Sequence, residues 1–282
     1  MLAARIITGV VFGVAITGAL LVAASPITAA ILGILWLVGV WEWGGFAKLP
    51  AAGRIGYTVL FAAAMAVGWL WLTPRGLETN LATPTSGMFD DTTNRVLLVA
   101  ALAWWLFALV LVVRYPRTFS PTFVALAGIV VLLPSWTLLV RLHGNDALGA
   151  KLAFTLLLIV WAADVGAYAF GRLLGRTKLA PAVSPGKTWE GVTGGLVTAG
   201  LAAAIAAQWL GLPATRLVPL AIGTALISVL GDLTQSMFKR NVGLKDSGKL
   251  LPGHGGVLDR IDSLTAAVPA FVVGLWALNL IG

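Results

Sequence analysis

Residues 217–238 read LVPLAIGTALISVLGDLTQSMF, an apolar run whose one charged residue is Asp232, and they lead directly into Lys239-Arg240 and a polar loop. About 20 mostly apolar residues suffice for a helix to cross the hydrocarbon core of a bilayer. This stretch therefore reads as a membrane span that ends in charge. Working outward, the same pattern recurs at 6–24, 27–41, 55–72, 96–113, 123–140, 152–170, 192–210 and 263–281. The expected fold is all-α, a polytopic integral membrane protein with about nine transmembrane helices.

Composition points the same way. Of 282 residues, 59% are hydrophobic and 11% charged, with mean hydropathy +0.95, against about 25% charged in an ordinary soluble domain. The first span has Arg5 before it and Ala23-Ala24-Ser25 after it, as a secretory signal would. Its apolar run is longer than a signal core of about 7–15 residues, so it reads as a retained helix. With no cysteine in the chain, disulfides and Cys-ligated metal centres are excluded. A net charge of +8 would suit nucleic acid, but polytopic proteins concentrate Lys and Arg in cytoplasmic loops, and no nucleic-acid partner is expected.

Those basic residues also orient the chain. Arg5, Lys48, Arg54, Arg114, Arg117, Arg172, Arg176, Lys178, Lys187, Lys239, Arg240, Lys245, Lys249 and Arg260 fall on one side of the nine spans. Arg75, Arg95, Arg141, Lys151 and Arg216 fall on the other. The excess places the N-terminus in the cytoplasm. Span 27–41 is the least secure, because it runs into Glu42 and Gly44-Gly45. Residues 73–95, with Pro74, Pro84, Gly76 and Gly87, read as a flexible connection. Trp41, Trp43, Trp69, Trp71, Trp104, Trp105 and Trp189 lie near predicted span ends and read as interfacial anchors. Residues 1–150 form a scaffold of lipid-facing helices, and residues 151–282 add two polar loops.

Acids inside spans are costly, from about 2.5 kcal/mol at the bilayer centre, and therefore informative. Asp164 precedes Arg172 by two helical turns and Asp232 stands similarly before Lys239, so both lie roughly 10–12 Å below their cytoplasmic loop. One water-filled cleft is expected to hold both. Asp164 with Tyr168, and Asp232 with Ser236, share helix faces. The competing reading, acids that pair with a nearby Lys or Arg and cement packing, is about as good for either acid alone.

The first loop, GRLLGRTKLAPAVSPGKTWEG at 171–191, offers Arg172, Arg176, Lys178 and Lys187 to anions. Ser184 or Thr188 is placed to begin the next helix, whose amino end favours phosphate, and Glu190 faces this cationic region. It is not a P-loop, because Pro181 stands where the first glycine would be. The second loop, SMFKRNVGLKDSGKLLPGHGGVLDRID at 236–262, mixes Lys239, Arg240, Lys245, Lys249 and Arg260 with Asp246, Asp259 and Asp262. A helix beginning near Asp259 puts Asp259 and Asp262 near one face. Asp232 and Asp259, joined by Asp262, suit a hard divalent cation such as magnesium, which takes carboxylates and keeps phosphates and waters as its other ligands. His254, between glycines, suits a phosphate hydrogen bond or a turn better than metal ligation. Together these groups point to phosphoryl or nucleotidyl transfer to a membrane substrate.

The second loop resembles the signature of the CDP-diacylglycerol synthases, or phosphatidate cytidylyltransferases. The match runs through Ser236, Phe238, Lys239-Arg240, Lys245-Asp246, Gly248, Leu251-Pro252, His254-Gly255-Gly256, Val257, Asp259-Arg260, Ile261 and Asp262. Two further runs are similar: Asp164, Ala167, Tyr168, Gly171, Arg172 and Gly175, and the segment Ser184 to Gly191. The resemblance implies a multi-pass protein of the cell membrane, working at the cytoplasmic face, that joins CTP to phosphatidic acid with magnesium and admits a monovalent cation such as potassium. It implies Asp232 and Asp259 as metal ligands, with Asp262, Asp246 and Asp164 in support. Lys239, Arg240, Lys245, Arg260 and Lys187 would neutralise phosphates, and Ser184, Thr188 and Ser236 would donate hydrogen bonds. A homodimer is compatible with it. The alternatives are a CTP-dependent polyprenol kinase, which would release CDP, and, from another class, a membrane transporter, which internal repeats would favour and none are found.

Overall fold

The computed structural model describes residues 2–72, 92–145, 147–250 and 255–281. Most of the connection at 73–95, and His254 with Leu251 and Pro252, lie outside the described residues. Among the described residues there are nine helices: α1 (Leu2–Leu21), α2 (Ser25–Phe46), α3 (Ala51–Leu72), α4 (Thr92–Val113), α5 (Pro121–His143), α6 (Gly149–Leu174), α7 (Trp189–Leu210), α8 (Ala214–Asn241) and α9 (Leu258–Ala277). Eight of them, α2 to α9, are long and apolar enough to span a membrane, while α1 carries the shorter apolar stretch Gly9–Leu21. A short antiparallel hairpin, β1 (Lys178–Ala180) and β2 (Ser184–Thr188), interrupts the helices between α6 and α7, with Lys178 opposite Thr188.

Local signals set several boundaries. Ser120 caps α5 by accepting the Phe123 amide, with Pro121 at the first helical position, where its missing N–H costs nothing. Thr188 caps α7 by accepting the Gly191 amide, and α7 stops at Gly211, whose φ of 67° suits a residue without Cβ. Helix α2 runs past Trp41 to Phe46, farther than expected, because the Glu42 carboxylate finds partners.

The bundle closes by small-residue contacts. A Cβ on Gly191 would lie 2.8 Å from the Ala167 carbonyl oxygen, and one on Gly195 would lie 2.8 Å from that of Ala163, so α7 packs backbone to backbone on α6. Thr198 Oγ1 donates to the Ala162 carbonyl across the same seam at 2.7 Å. On α8, a Cβ at Gly231 would come within 2.7 Å of the Asp262 carbonyl oxygen. That crossing sets Asp232 beside the start of α9.

Aromatic side chains fill the centre. Trp36, Trp43, Phe46, Phe238 and Phe271 are fully buried. Trp43 donates to the Val124 carbonyl at 2.7 Å and Trp36 to Ser135 Oγ at 2.9 Å. The anchor reading thus fails for Trp43, Trp104 and Trp105, which lie inside the bundle, whereas Trp41 and Trp189 are exposed. An indole near a span end can turn inward when a packed core receives its ring.

Alternate connections gather at opposite ends. At one end Asn241 Oδ1 accepts the Phe119 amide, Arg240 donates to the Val183 carbonyl, and Ser247 donates to Glu42, which brings together the loops after α2, α4, α6 and α8. At the other end His143 contacts Leu20 and Ser25, and Arg216 donates to the Leu278 carbonyl. The loops richest in Lys and Arg therefore share one face of the bundle.

Candidate active site

At that face a cleft of about 730 Å³ opens between α6, α7, α8, the start of α9 and β2. Asp164 and Asp232, separated by one helix in the chain, both line it, together with Asp259 and Asp262. Arg172, Ser184, Lys187, Thr188 and Arg260 supply the remaining polar lining, and Tyr168 stands at the exposed edge. Leu196, Ala225 and Val229 make its floor apolar.

Asp232 is held from two sides. Ser236, one turn on, donates to its Oδ1 at 3.1 Å, and Lys187 Nζ lies 2.6 Å from its Oδ2. Lys187 reaches it because β2 returns the chain across the cleft before α7 begins. Asp164 and Asp262 lie close enough to Asp232 for their charges to interact, and Lys187 and Arg260 offset part of the repulsion at Asp164. Asp262 Oδ1 also accepts the Ser263 amide at 2.8 Å. Tyr168 OH receives Arg172 Nη1 at 2.8 Å.

Asp259 has other work. Its Oδ1 takes Lys239 Nζ at 2.7 Å, and its Oδ2 accepts the amides of Ser247 at 2.8 Å and Gly256 at 3.0 Å. This pair is the less exposed of the two, with side chains 10% and 9% exposed against 27% and 28% for Lys187 and Asp232. Asp259 thus joins Lys239 to the loop that precedes α9 while it also lines the cleft.

Glu42 completes this arrangement, although in the sequence it marks no more than the end of an apolar run. Buried on α2, it accepts Ser247 Oγ at 2.8 Å and the amides of Val257 at 3.1 Å and Leu258 at 2.8 Å. It thereby serves orphan amides at the start of α9 from another helix. A Cβ at Gly256 or Gly248 would collide with its carboxylate, so these glycines are needed for the approach. The signal available beforehand was a lone acid inside an apolar run.

The remaining expected residues are dispersed. Lys239 is buried against Asp259, and Ser236 touches the cleft only through Asp232. Glu190 accepts the Thr177 amide at 3.1 and 3.2 Å and so secures the base of the hairpin. Lys245 and Asp246 are exposed on the loop after α8 and do not line the cleft. Arg240 lines a different cavity and donates to the carbonyls of Leu244 and Val183.

Among the described residues no three acid or histidine side chains converge as a closed metal cage. Magnesium seldom needs one, since it is usually bound by one or two carboxylates with water and substrate phosphates completing the shell. The donor chemistry of Asp232, with Asp164 or Asp262 as a second carboxylate, fits such a site. The Lys187 ammonium on Asp232 shows that a cation is accommodated there.

Known proteins are similar to this chain along most of its length. Residues 3–278 match the model of the cytidylyltransferase family. A phosphatidate cytidylyltransferase of Haemophilus influenzae is 39% identical over 287 residues, covering 96% of this chain and 97% of its own length. One of Pseudomonas aeruginosa is 41% identical over 285 residues, covering 98% of each. One of Brucella suis is 46% identical over 127 residues, covering 45% of this chain and 47% of its own length. With the match running from α1 to α9, the chain belongs to the cytidylyltransferase family.

Proposed function

We propose that this chain transfers the cytidylyl group of CTP to phosphatidic acid, forming CDP-diacylglycerol and pyrophosphate, at the cytoplasmic face of the membrane. The carrying observation is a single cleft in which Asp164, Asp232 and Asp262 face Arg172, Lys187 and Arg260. Acids able to hold a cation, and fixed cations able to hold phosphates, therefore meet in one volume. Its apolar floor suits a lipid substrate, and the gathering of the Lys- and Arg-rich loops at its mouth supports the cytoplasmic orientation.

In the reaction a phosphate oxygen of phosphatidic acid attacks the α-phosphorus of CTP. A new phosphorus–oxygen bond forms, the bond from the α-phosphorus to the bridging oxygen breaks, and pyrophosphate leaves with the electron pair. A phosphate nucleophile is already ionised near neutral pH, so no side chain need remove a proton. Catalysis then consists of positioning and charge neutralisation. Lys187 and Arg260 compensate phosphate charge in the cleft, Arg172 does so at its edge, and Ser184 hydrogen-bonds a phosphate oxygen. The Thr188 hydroxyl is engaged at the start of α7 and serves to place Lys187. Magnesium, held by Asp232 with Asp164 or Asp262, would supply further neutralisation of the triphosphate. Asp259 positions Lys239 and the loop before α9.

The test is the fate of CTP with protein purified in detergent and given phosphatidic acid. Equal amounts of pyrophosphate and CDP-diacylglycerol are expected. Release of CDP would identify a kinase instead, and absence of any turnover without a membrane gradient would favour a transporter.

A further inference from the structure

A second cavity, of about 800 Å³, lies outside the cleft, where α4 ends, α5 begins and α8 ends. Its polar lining contains Arg117 and Arg240 and no acidic residue. Arg117 is exposed and makes no ion pair with any described residue. Arg240 uses two of its five N–H donors on backbone carbonyls, which leaves three. Asn241 fixes the floor by exchanging hydrogen bonds with both backbone groups of Phe119.

The opposite wall is aromatic. Phe123 stands in ring contact with both Phe107 and Phe119, and Phe107 is 47% exposed on the outer surface of α4. Val110 and Val113 continue that exposed apolar surface toward the cavity end of the helix. One side of the cavity thus belongs to a surface facing lipid chains, and the other presents two guanidinium groups at the end of the span. Planar guanidinium groups recognise phosphate by paired hydrogen bonds. A free phosphate would leave the aromatic wall unused, and a neutral lipid would leave the cations uncompensated.

We infer that this cavity binds the headgroup of an anionic phospholipid, with its phosphate on Arg117 and Arg240 and its acyl chains along α4 beside Phe107. The site is separate from the cleft and does not rest on the reaction proposed there. Because Arg240 also holds the Val183 carbonyl at the hairpin tip, an occupant on Arg240 is one side chain away from the element that carries Lys187.

Native mass spectrometry of the full chain in detergent, titrated with phosphatidylglycerol, tests the site. Phosphatidylglycerol lacks the terminal phosphate of phosphatidic acid, so its binding is read apart from turnover. Arg117→Glu is expected to weaken the tightest phosphatidylglycerol binding by about tenfold or more, because a charge attracting the headgroup becomes a repelling one. Arg117→Lys is expected to retain most of it, and Asp232→Asn all of it. Unchanged binding in Arg117→Glu overturns the site, as does equal retention of phosphatidylcholine. Displacement of the lipid by millimolar inorganic phosphate would assign the cavity to free phosphate and overturn the lipid assignment.

Discussion

Between Gly175 and Trp189 the chain crosses the mouth of the cleft as a hairpin with much of its surface exposed, touching the acids opposite through one partly exposed lysine. At Ser247 and again from Gly256 to Leu258 the chain is instead tied down by two carboxylates: Glu42 takes three donors, and Asp259 takes two amides and a buried ammonium. Both segments are polar, rich in glycine and bordered by Lys and Arg, and in sequence they look alike. The difference lies in where the acid oxygens are spent. Glu42 and Asp259, which accept amides of the neighbouring loop, build the site's frame, whereas Asp164 and Asp232 accept no backbone amide among the described residues and Asp262 accepts only that of Ser263, the next residue. The tied segment is thus a fixed wall and the hairpin carries the working cation.

Substitutions can break that comparison. Asp259→Asn has the largest expected effect on stability, about 3–5 kcal/mol, because it removes the carboxylate in direct contact with the buried Lys239 ammonium and leaves Asp262 and Asp232 to act on it without an ion-pair contact. Thermal unfolding in detergent reads the loss; an unshifted melting temperature would mean that Asp259 is not part of the frame. Glu42→Ala follows at about 2–4 kcal/mol, since Ser247 Oγ and the amides of Val257 and Leu258 lose their acceptor. Glu42→Gln keeps one carbonyl oxygen and should recover part of that loss. If Glu42→Ala unfolded like the parent but bound CTP more weakly, Glu42 would belong to the site and not to its frame.

On the hairpin side the pattern reverses. Lys187→Ala should raise KM for CTP by about tenfold, the effect of losing one charge-assisted hydrogen bond to phosphate. Stability should change by about 0–1 kcal/mol, as for an accessible ion pair. A large drop in melting temperature with KM unchanged would make the Lys187–Asp232 pair structural. Tyr168→Phe removes one exposed hydrogen bond to Arg172 and should alter kcat/KM by about twofold at most, since such a bond nets little in water. A much larger loss would move Tyr168 into contact with substrate.

The spans were legible because hydropathy records burial in lipid directly, and α4 to α8 begin or end within a few residues of the apolar runs. Asp164 and Asp232 were legible because a charge in such a run demands a polar environment. The hairpin was not, since three paired residues around Pro181 carry almost no alternation. Nor was the division among the acids: Asp259 and Asp262 sit on one helical turn, and only the neighbouring loop shows that the first also holds Lys239 and two amides. Glu42 lay hidden for a related reason, because its partners lie more than 200 positions away in the chain. Arg240 follows Lys239 directly, yet the turn of the helix sends one toward Asp259 and the other toward Phe107 and Arg117.

The most direct test of the cleft is the turnover of Asp232→Asn with CTP and phosphatidic acid, measured beside the melting temperature of the same preparation. Loss of a cation-holding carboxylate removes several kcal/mol of transition-state stabilisation, so turnover should fall by about 10²–10³, while the melting temperature stays near that of the parent. Turnover close to the parent's, in protein that melts at the same temperature, would contradict the assignment of this cleft as the place where cytidylyl transfer occurs.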